Sequence, residues 1–113
     1  MNIKEIQDKL AKFAKERDWD QFHSPKNLVM ALTSEVGELN ELFQWLSEKE
    51  SENLDNDEVK QEIADIFIYL LRLCDKLGID IEEAAKEKIE INAKKYPIDL
   101  AKGNAIKYSK RDE

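Results

Sequence analysis

The chain has 113 residues, enough for one domain, and its 25 acidic and 18 basic residues give a net charge of −7. This charge argues against binding to nucleic acid polymers or anionic membranes. Only 3 glycines and 2 prolines are present, which disfavours a β-sandwich and favours an all-α fold. The single cysteine, the N-terminus without an apolar signal segment and the lack of an 18-residue apolar run fit a soluble cytoplasmic protein.

Apolar periodicity predicts a four-helix bundle, with helices over about residues 3–18, 25–46, 57–78 and 80–96. Asn2 is a candidate cap for the first helix, and Ser24-Pro25 is a strong start signal for the second. Gly78 is a suitable end for the third helix, since glycine readily takes the left-handed conformation found there. Asp80 begins the fourth helix, and Pro97 stops it near Tyr96. One domain over residues 1–113 is therefore expected.

Two segments fall outside these helices. Residues 47–57 are polar and acidic, and we expect a mobile surface loop there. The tail, about residues 98–113, has little periodicity and is expected to be partly irregular. The third helix is apolar almost all the way round, so a second copy of the chain or the chain's own tail has to cover part of it. We expect a homo-oligomer, a dimer or tetramer, that packs through the central helices.

Four acids interrupt the apolar stretches of the second and third helices. Glu35 and Glu38 are three residues apart in EVGEL, and Glu62 and Asp65 are three apart in EIAD. On a helix this spacing places both acids on one face, so two antiparallel helices could direct four carboxylates to one point. A hard divalent cation would relieve their repulsion, and oxygen ligands suit Mg²⁺ or Mn²⁺. The alternative is that both pairs are ordinary solvated surface charges.

The same residues resemble a known family. The E-x-x-E and E-x-x-D pairs on consecutive helices are similar to those of the all-α MazG-like nucleoside triphosphate pyrophosphohydrolases. The likeness is strongest to the dCTP pyrophosphatase branch, and it is carried by FAKERDWDQFHSPKNLVMALTSEVGELNELFQW, EIADIFIYLLRL and KIEINAKKYP. It covers roughly residues 3–108. The chain departs from the family pattern at Leu10, where some relatives have a histidine that contacts the base, and its acidic connection 47–57 is shorter than in animal relatives.

The resemblance implies an enzyme that uses Mg²⁺ to convert a nucleoside triphosphate, dCTP or modified dCTP first, to the monophosphate and pyrophosphate. The metal ligands of the family fall on Glu35, Glu38, Glu62 and Asp65. Either Glu35 or Glu38 would activate the attacking water. An alternative substrate is dUTP or a broad set of non-canonical deoxynucleotides.

Candidate substrate contacts are aromatic or polar, and several lie near the predicted helix ends; they are Trp19, Phe22, His23, Asn27, Trp45, Tyr69, Lys88, Asn92, Lys95 and Tyr96. Tryptophan faces can stack on a nucleobase, although both tryptophans could instead close the ends of the bundle. Lys88 and Asn92 match a phosphate-contacting K-x-x-x-N pattern of the family. Lysines near a helix C-terminus are also stabilised by the helix dipole without any substrate.

Two other functions compete with the enzyme. A ferritin-like di-iron protein also has carboxylates inside a bundle, but it needs Glu-x-x-His pairs, and the only histidine, His23, lies outside both acidic motifs. A non-catalytic helical oligomerisation module would leave the acids as solvated surface. Pyrophosphate release from dCTP in the presence of Mg²⁺ separates these alternatives.

Overall fold

The computed structural model describes residues 1–110, with the side chain of Asn56 excepted. The fold is all-α, as predicted: 77% of the described residues lie in α-helices or 3₁₀ turns, and these residues contain no strand. Six α-helices occur in that part of the chain: α1 (Ile3–Glu16), α2 (Pro25–Phe43), α3 (Glu48–Glu52), α4 (Asn56–Leu77), α5 (Ile81–Lys95) and α6 (Ile98–Ala101). Short 3₁₀ turns lie at Asp20–Phe22 and Tyr108–Lys110. None of the helices in the described part of the chain is both long and apolar enough to cross a membrane.

The chain divides into two compact units. The first, Met1–Ile79, contains α1 to α4, with α4 packed against both α2 and α1. The second begins at Asp80 and contains α5 and α6.

The predicted helix ends are confirmed where a capping residue marks them. The side chains of Asn2, Ser24 and Asp80 each accept a hydrogen bond from the backbone N–H three residues later, which satisfies a donor of the first helical turn. Gly78 follows α4 with a φ of +67°, and the N–H of Ile79 donates to the carbonyl of Cys74 across 2.9 Å. This is a Schellman ending, in which glycine avoids the penalty that a Cβ atom meets at positive φ.

The expectations for one connection and for two helix ends need correction. Residues 47–57 are not simply a loop, because Ser47 and Glu50 form a reciprocal capping box that begins α3. Helix α1 ends at Glu16 rather than near residue 18, and α2 ends at Phe43 rather than near Leu46. The tail, expected to be partly irregular, contains α6 and a 3₁₀ turn as well as irregular chain, and its last residues, 111–113, lie outside the described part.

The core of the first unit lies where α1 and α2 meet α4. Four apolar side chains are buried: Ala14, Leu28, Leu71 and Cys74. Burial raises the pKa of the Cys74 thiol, which is typical of a cysteine that packs in a core. Other apolar side chains of α4 stay open to solvent, and Ile63 is 53% exposed. The other described residues of the chain therefore cover only part of the apolar surface of α4.

Candidate active site

Two facing helices bring three of the predicted acids together. Glu62 and Asp65 lie one turn apart on α4, and Glu35 reaches them from α2. One oxygen from each of these three carboxylates lies within 4.8 Å of the others. The E-x-x-D spacing produces the α4 part of this cluster, and the packing of α2 against α4 supplies the third acid.

The cluster has more negative charge than its surroundings neutralise. The Oε2 atoms of Glu35 and Glu62 are buried, and neither has a hydrogen-bond partner among the described residues. The pKa of Glu35 is raised from 4.5 to about 7, first because its carboxyl group lies against that of Glu62, then through burial, and then through Glu38 and the charge of Asp65. Two carboxyl groups this close favour a shared proton, and a cation would take the place of that proton. Orphaned buried oxygens in an all-oxygen donor set fit a hard divalent metal ion.

The fourth predicted acid, Glu38, lies at the edge of this cluster. It is exposed and is not one of the three converging carboxylates, although it is close enough to Glu35 to raise the pKa of that residue. It shares an acidic groove of about 500 Å³ between α2 and α4, whose lining residues are Glu38, Glu41, Leu42, Asp57, Glu58, Gln61 and Glu62. Glu38 therefore faces solvent beside the cluster.

An aromatic cavity adjoins the carboxylates. Its volume is about 410 Å³, and its lining residues are Leu10, Phe13, Ala14, Trp19, His23, Asp65, Ile68, Tyr69 and Arg72. Three of the predicted substrate residues, Trp19, His23 and Tyr69, are among them. Asp65 belongs both to this cavity and to the carboxylate cluster, so the two features form one continuous site.

A helix ending positions Trp19 in this cavity. Asp18 takes a φ of +57°, and the N–H of Trp19 donates to the carbonyl of Ala14 across 2.8 Å, which completes a Schellman motif at the end of α1. The indole ring then meets Phe13 edge to face, with ring centroids 5.7 Å apart and an interplanar angle of 69°. The guanidinium of Arg17 lies 3.5 Å from the centroid of the Phe13 ring.

Other predicted substrate residues of the first unit are not among those that line the cavity. Phe22 is exposed, and its carbonyl accepts a hydrogen bond from Asn27 Nδ2 across 3.0 Å. The backbone N–H of Asn27 also donates to the Ser24 hydroxyl across 3.2 Å, so Asn27 has a local role at the start of α2. Trp45 is 88% exposed just beyond the end of α2.

The remaining predicted residues belong to the second unit. Asn92, Lys95 and Tyr96 share a cavity of about 350 Å³ with Lys107, Tyr108 and Ser109. The hydroxyl of Tyr96 accepts a hydrogen bond from the N–H of Tyr108 across 3.2 Å, which ties the tail to the end of α5. Lys88 lies one turn before Asn92 on α5 and is exposed.

Sequence reasoning missed Phe13 and Arg72 as parts of the site. Phe13 reads as an ordinary apolar position of α1, and only the turn after Glu16 brings Trp19 against it. Arg72 could have been identified from the sequence, because it is the charged residue inside the apolar run IFIYLLRLC. The same signal identified Glu62 and Asp65.

Comparison with known proteins agrees with this architecture. Residues 30–110 match the sequence model of the MazG-like family. The chain is 40% identical over 112 residues to dCTP pyrophosphatase 1 of Rattus norvegicus and 39% identical to that of Homo sapiens; each alignment covers 95% of this chain. A solved structure of a pyrophosphatase from Archaeoglobus fulgidus is 45% identical and superimposes with a TM-score of 0.81, covering 83% of this chain and 91% of that one.

The chain therefore belongs to the MazG-like family. It spans 66% of the length of the two mammalian relatives, so their names describe longer proteins. The match to the archaeal pyrophosphatase covers nearly the full length of that structure's chain.

Proposed function

We propose that the protein is a Mg²⁺-dependent nucleoside triphosphate pyrophosphohydrolase that converts dCTP or a modified dCTP to the monophosphate and pyrophosphate. The observation that carries the proposal is the continuity of the site: Asp65 belongs both to a cluster suited to a divalent cation and to a cavity walled by aromatic rings. A nucleoside triphosphate presents the matching pair of features, a metal-binding polyphosphate and a flat base. The names of the relatives, dCTP pyrophosphatase 1 and pyrophosphatase, support the same reaction.

Glu35, Glu62 and Asp65 would hold the metal ion, which would neutralise charge on the phosphate oxygens when bound. In the proposed reaction, water attacks the α-phosphorus, the bond from that phosphorus to the bridging oxygen breaks, and pyrophosphate leaves. Glu35 or Glu38 takes the proton of the water. Glu38 is favoured as the base because it lies beside Glu35 but outside the three converging carboxylates, where it can face a water molecule.

The base would occupy the aromatic cavity. Stacking on an aromatic ring stabilises a bound base by about 1–3 kcal/mol, and Trp19 and Tyr69 both line this space. Tyr69 lies one turn after Asp65 on α4, about 6 Å along the helix axis, so the same helix would contact the sugar and base as well as the metal. For Lys88 and Asn92, the proposed contacts with phosphate rest on the family resemblance, while Lys95 and Tyr96 are proposed only as substrate contacts.

We also propose that the protein is a homo-oligomer that packs through α2 and α4. The exposed apolar side chains of Val36, Ile63 and Phe67 support this, since a second copy could bury them. Sedimentation equilibrium would give the mass of the assembly. A monomer at micromolar concentration would contradict this part of the proposal.

A panel of common and modified nucleoside triphosphates tests the reaction by pyrophosphate release, with Mg²⁺ and with excess chelator. We expect dCTP or a modified dCTP to be the best substrate, and turnover to require the metal. Glu62→Gln should abolish turnover while the circular dichroism spectrum remains helical. Glu87→Gln, which changes an exposed acid in the middle of α5, is the matched control and should retain full activity.

The panel also distinguishes the alternatives. If the enzyme prefers dUTP, or hydrolyses many deoxynucleotides at equal rates, the proposal of dCTP as substrate is wrong, but the proposed reaction stands. Absence of turnover on every nucleotide with Mg²⁺ or Mn²⁺ would refute the enzyme and favour the oligomerisation module.

A further inference from the structure

The aromatic cavity contains the only histidine of the chain, in contact with a buried arginine. His23 and Arg72 both line this cavity, and Arg72 is only 5% exposed. Nε of Arg72 donates a hydrogen bond to Nδ1 of His23 across 3.4 Å. The contact joins α4 to the connection that precedes α2.

Acidic side chains hold the arginine in this orientation. Nη2 of Arg72 donates to Oδ1 of Asp20 across 2.9 Å, and Nη1 lies 3.9 Å from Oδ2 of Asp75. The amine of Lys76 pairs with the same Asp20 oxygen, while Gln7 donates to the other oxygen of Asp75 across 2.8 Å. A buried cation is costly unless it is paired, and these carboxylates provide the pairing. The guanidinium of Arg72 is already bonded to these partners. We therefore expect Arg72 to influence a ligand in the cavity through its hydrogen bond to His23.

This arrangement determines which nitrogen of His23 carries the proton. Arginine is always protonated and has only donors, so Nδ1 of His23 must supply a lone pair. A neutral imidazole with an accepting Nδ1 carries its proton on Nε2. Burial lowers the pKa of His23 below its ordinary 6.5, the positive charges of Arg72 and Lys76 lower it further, and Asp20 opposes the change, so the neutral ring is favoured at pH 7. Within residues 1–110, no acceptor takes the Nε2 proton.

We propose that Arg72 is a positioning residue that locks His23 in the Nε2–H tautomer, so that His23 presents a hydrogen-bond donor to the nucleobase. The cavity then selects a base that directs an acceptor, a ring carbonyl oxygen or an unprotonated ring nitrogen, toward His23. Arg72 lies seven residues after Asp65 on α4, two turns or about 10 Å away, which separates it from the phosphates. The identity of the ligand as a nucleotide rests on the proposed function, whereas the tautomer of His23 does not.

Nuclear magnetic resonance of the metal-free protein labelled with ¹⁵N-histidine tests the tautomer directly. The chain has one imidazole, so its two ring nitrogens give one assignable pair of signals. We expect the Nε2–H form to dominate in the wild type. We expect Arg72→Met to give a mixture of tautomers and a higher His23 pKa. Lys60→Met removes another positive charge of α4 and should leave the spectrum unchanged.

Each outcome of this experiment decides the proposal. A wild-type spectrum dominated by the Nδ1–H form would overturn it, and so would an Arg72→Met spectrum identical to the wild type. If Arg72→Met does not fold, Arg72→Lys replaces it, because lysine keeps the charge but lacks the fixed fork of donors. Retention of a pure Nε2–H form in Arg72→Lys would then refute the requirement for arginine.

Steady-state kinetics supplies the second readout. Loss of one neutral hydrogen bond to the base should raise KM about twofold to tenfold in Arg72→Met and change kcat less than twofold. A fall in kcat with unchanged KM would contradict the assignment to base recognition. If the wild type hydrolyses no nucleotide, the proposed function fails, and the tautomer experiment still decides the role of Arg72.

Discussion

Replacement of Glu35 by glutamine should stabilise the metal-free protein at alkaline pH. The pKa of Glu35 is raised to about 7 because its carboxyl group meets Glu62 and is partly buried, with Glu38 and Asp65 nearby. A group with a raised native pKa contributes stability that is fully present below its unfolded value of 4.5, and that is lost as the pH rises through 7. Glutamine has the shape of the protonated acid but cannot ionise, so the variant should not show this loss.

The size of the effect follows from the pKa. A rise in the pKa of Glu35 from 4.5 to about 7 corresponds to roughly 3 kcal/mol in the free energy of unfolding if solvent screens none of the interaction. Solvent reaches the exposed neighbours Glu38 and Asp65 and screens part of the repulsion, so we expect about 1–2 kcal/mol. At pH 4 the wild type and Glu35→Gln should have similar free energies of unfolding. At pH 8 the variant should be more stable than the metal-free wild type by that amount.

Urea unfolding in the presence of a chelator, at pH 4 and pH 8, measures the difference. Glu87→Gln is the control, because that exposed acid lies outside the cluster and its difference from wild type should not change with pH. Addition of Mg²⁺ at pH 8 should then stabilise the wild type and not Glu35→Gln, since binding to the native state adds to the free energy of unfolding. The reasoning fails if Glu35→Gln and wild type differ by the same amount at both pH values.

Substitutions at three further positions test other parts of the structure. Trp19→Ala should weaken substrate binding by about 1–3 kcal/mol, seen as a higher KM for the preferred nucleotide, because a stacking face is lost. Asp18→Ile should destabilise the protein by about 1–2 kcal/mol in urea unfolding, since a β-branched residue resists the φ of +57°, whereas Asp18→Asn should change little. Gly78→Ala should cost about 1 kcal/mol in the same assay; an added Cβ meets no atom within 4 Å, so the penalty comes from the backbone alone.

Much of the helical architecture can be predicted from local signals. Asn2, Ser24 and Asp80 mark helix starts because each side chain completes the hydrogen bonding of a first turn, and Gly78 marks an end because of its left-handed conformation. Helix α3 escaped prediction because its five residues contain no apolar side chain, so periodicity could not reveal it. Its capping box, from Ser47 to Glu50, was the readable signal.

The site was predictable to the extent that helix spacing determines it. The three-residue spacing of Glu62 and Asp65 places them on one face of α4, but which acids of α2 reach them depends on how the helices pack. Packing brings Glu35 into the cluster and leaves Glu38 at its edge. The position of Trp19 depends on a left-handed aspartate at residue 18, which no pattern in the sequence signals.

Helix α4 connects the two halves of the proposed chemistry. Glu62, Asp65, Tyr69 and Arg72 follow one another at intervals of three, four and three residues, which keeps them on one face of the helix. Because a helix rises about 1.5 Å per residue, Asp65 and Arg72 are about 10 Å apart along one rigid element. Groups at such a separation contribute almost independently to binding. If the proposed function holds, a substitution at Arg72 should therefore change the base preference while the proposed metal site stays intact.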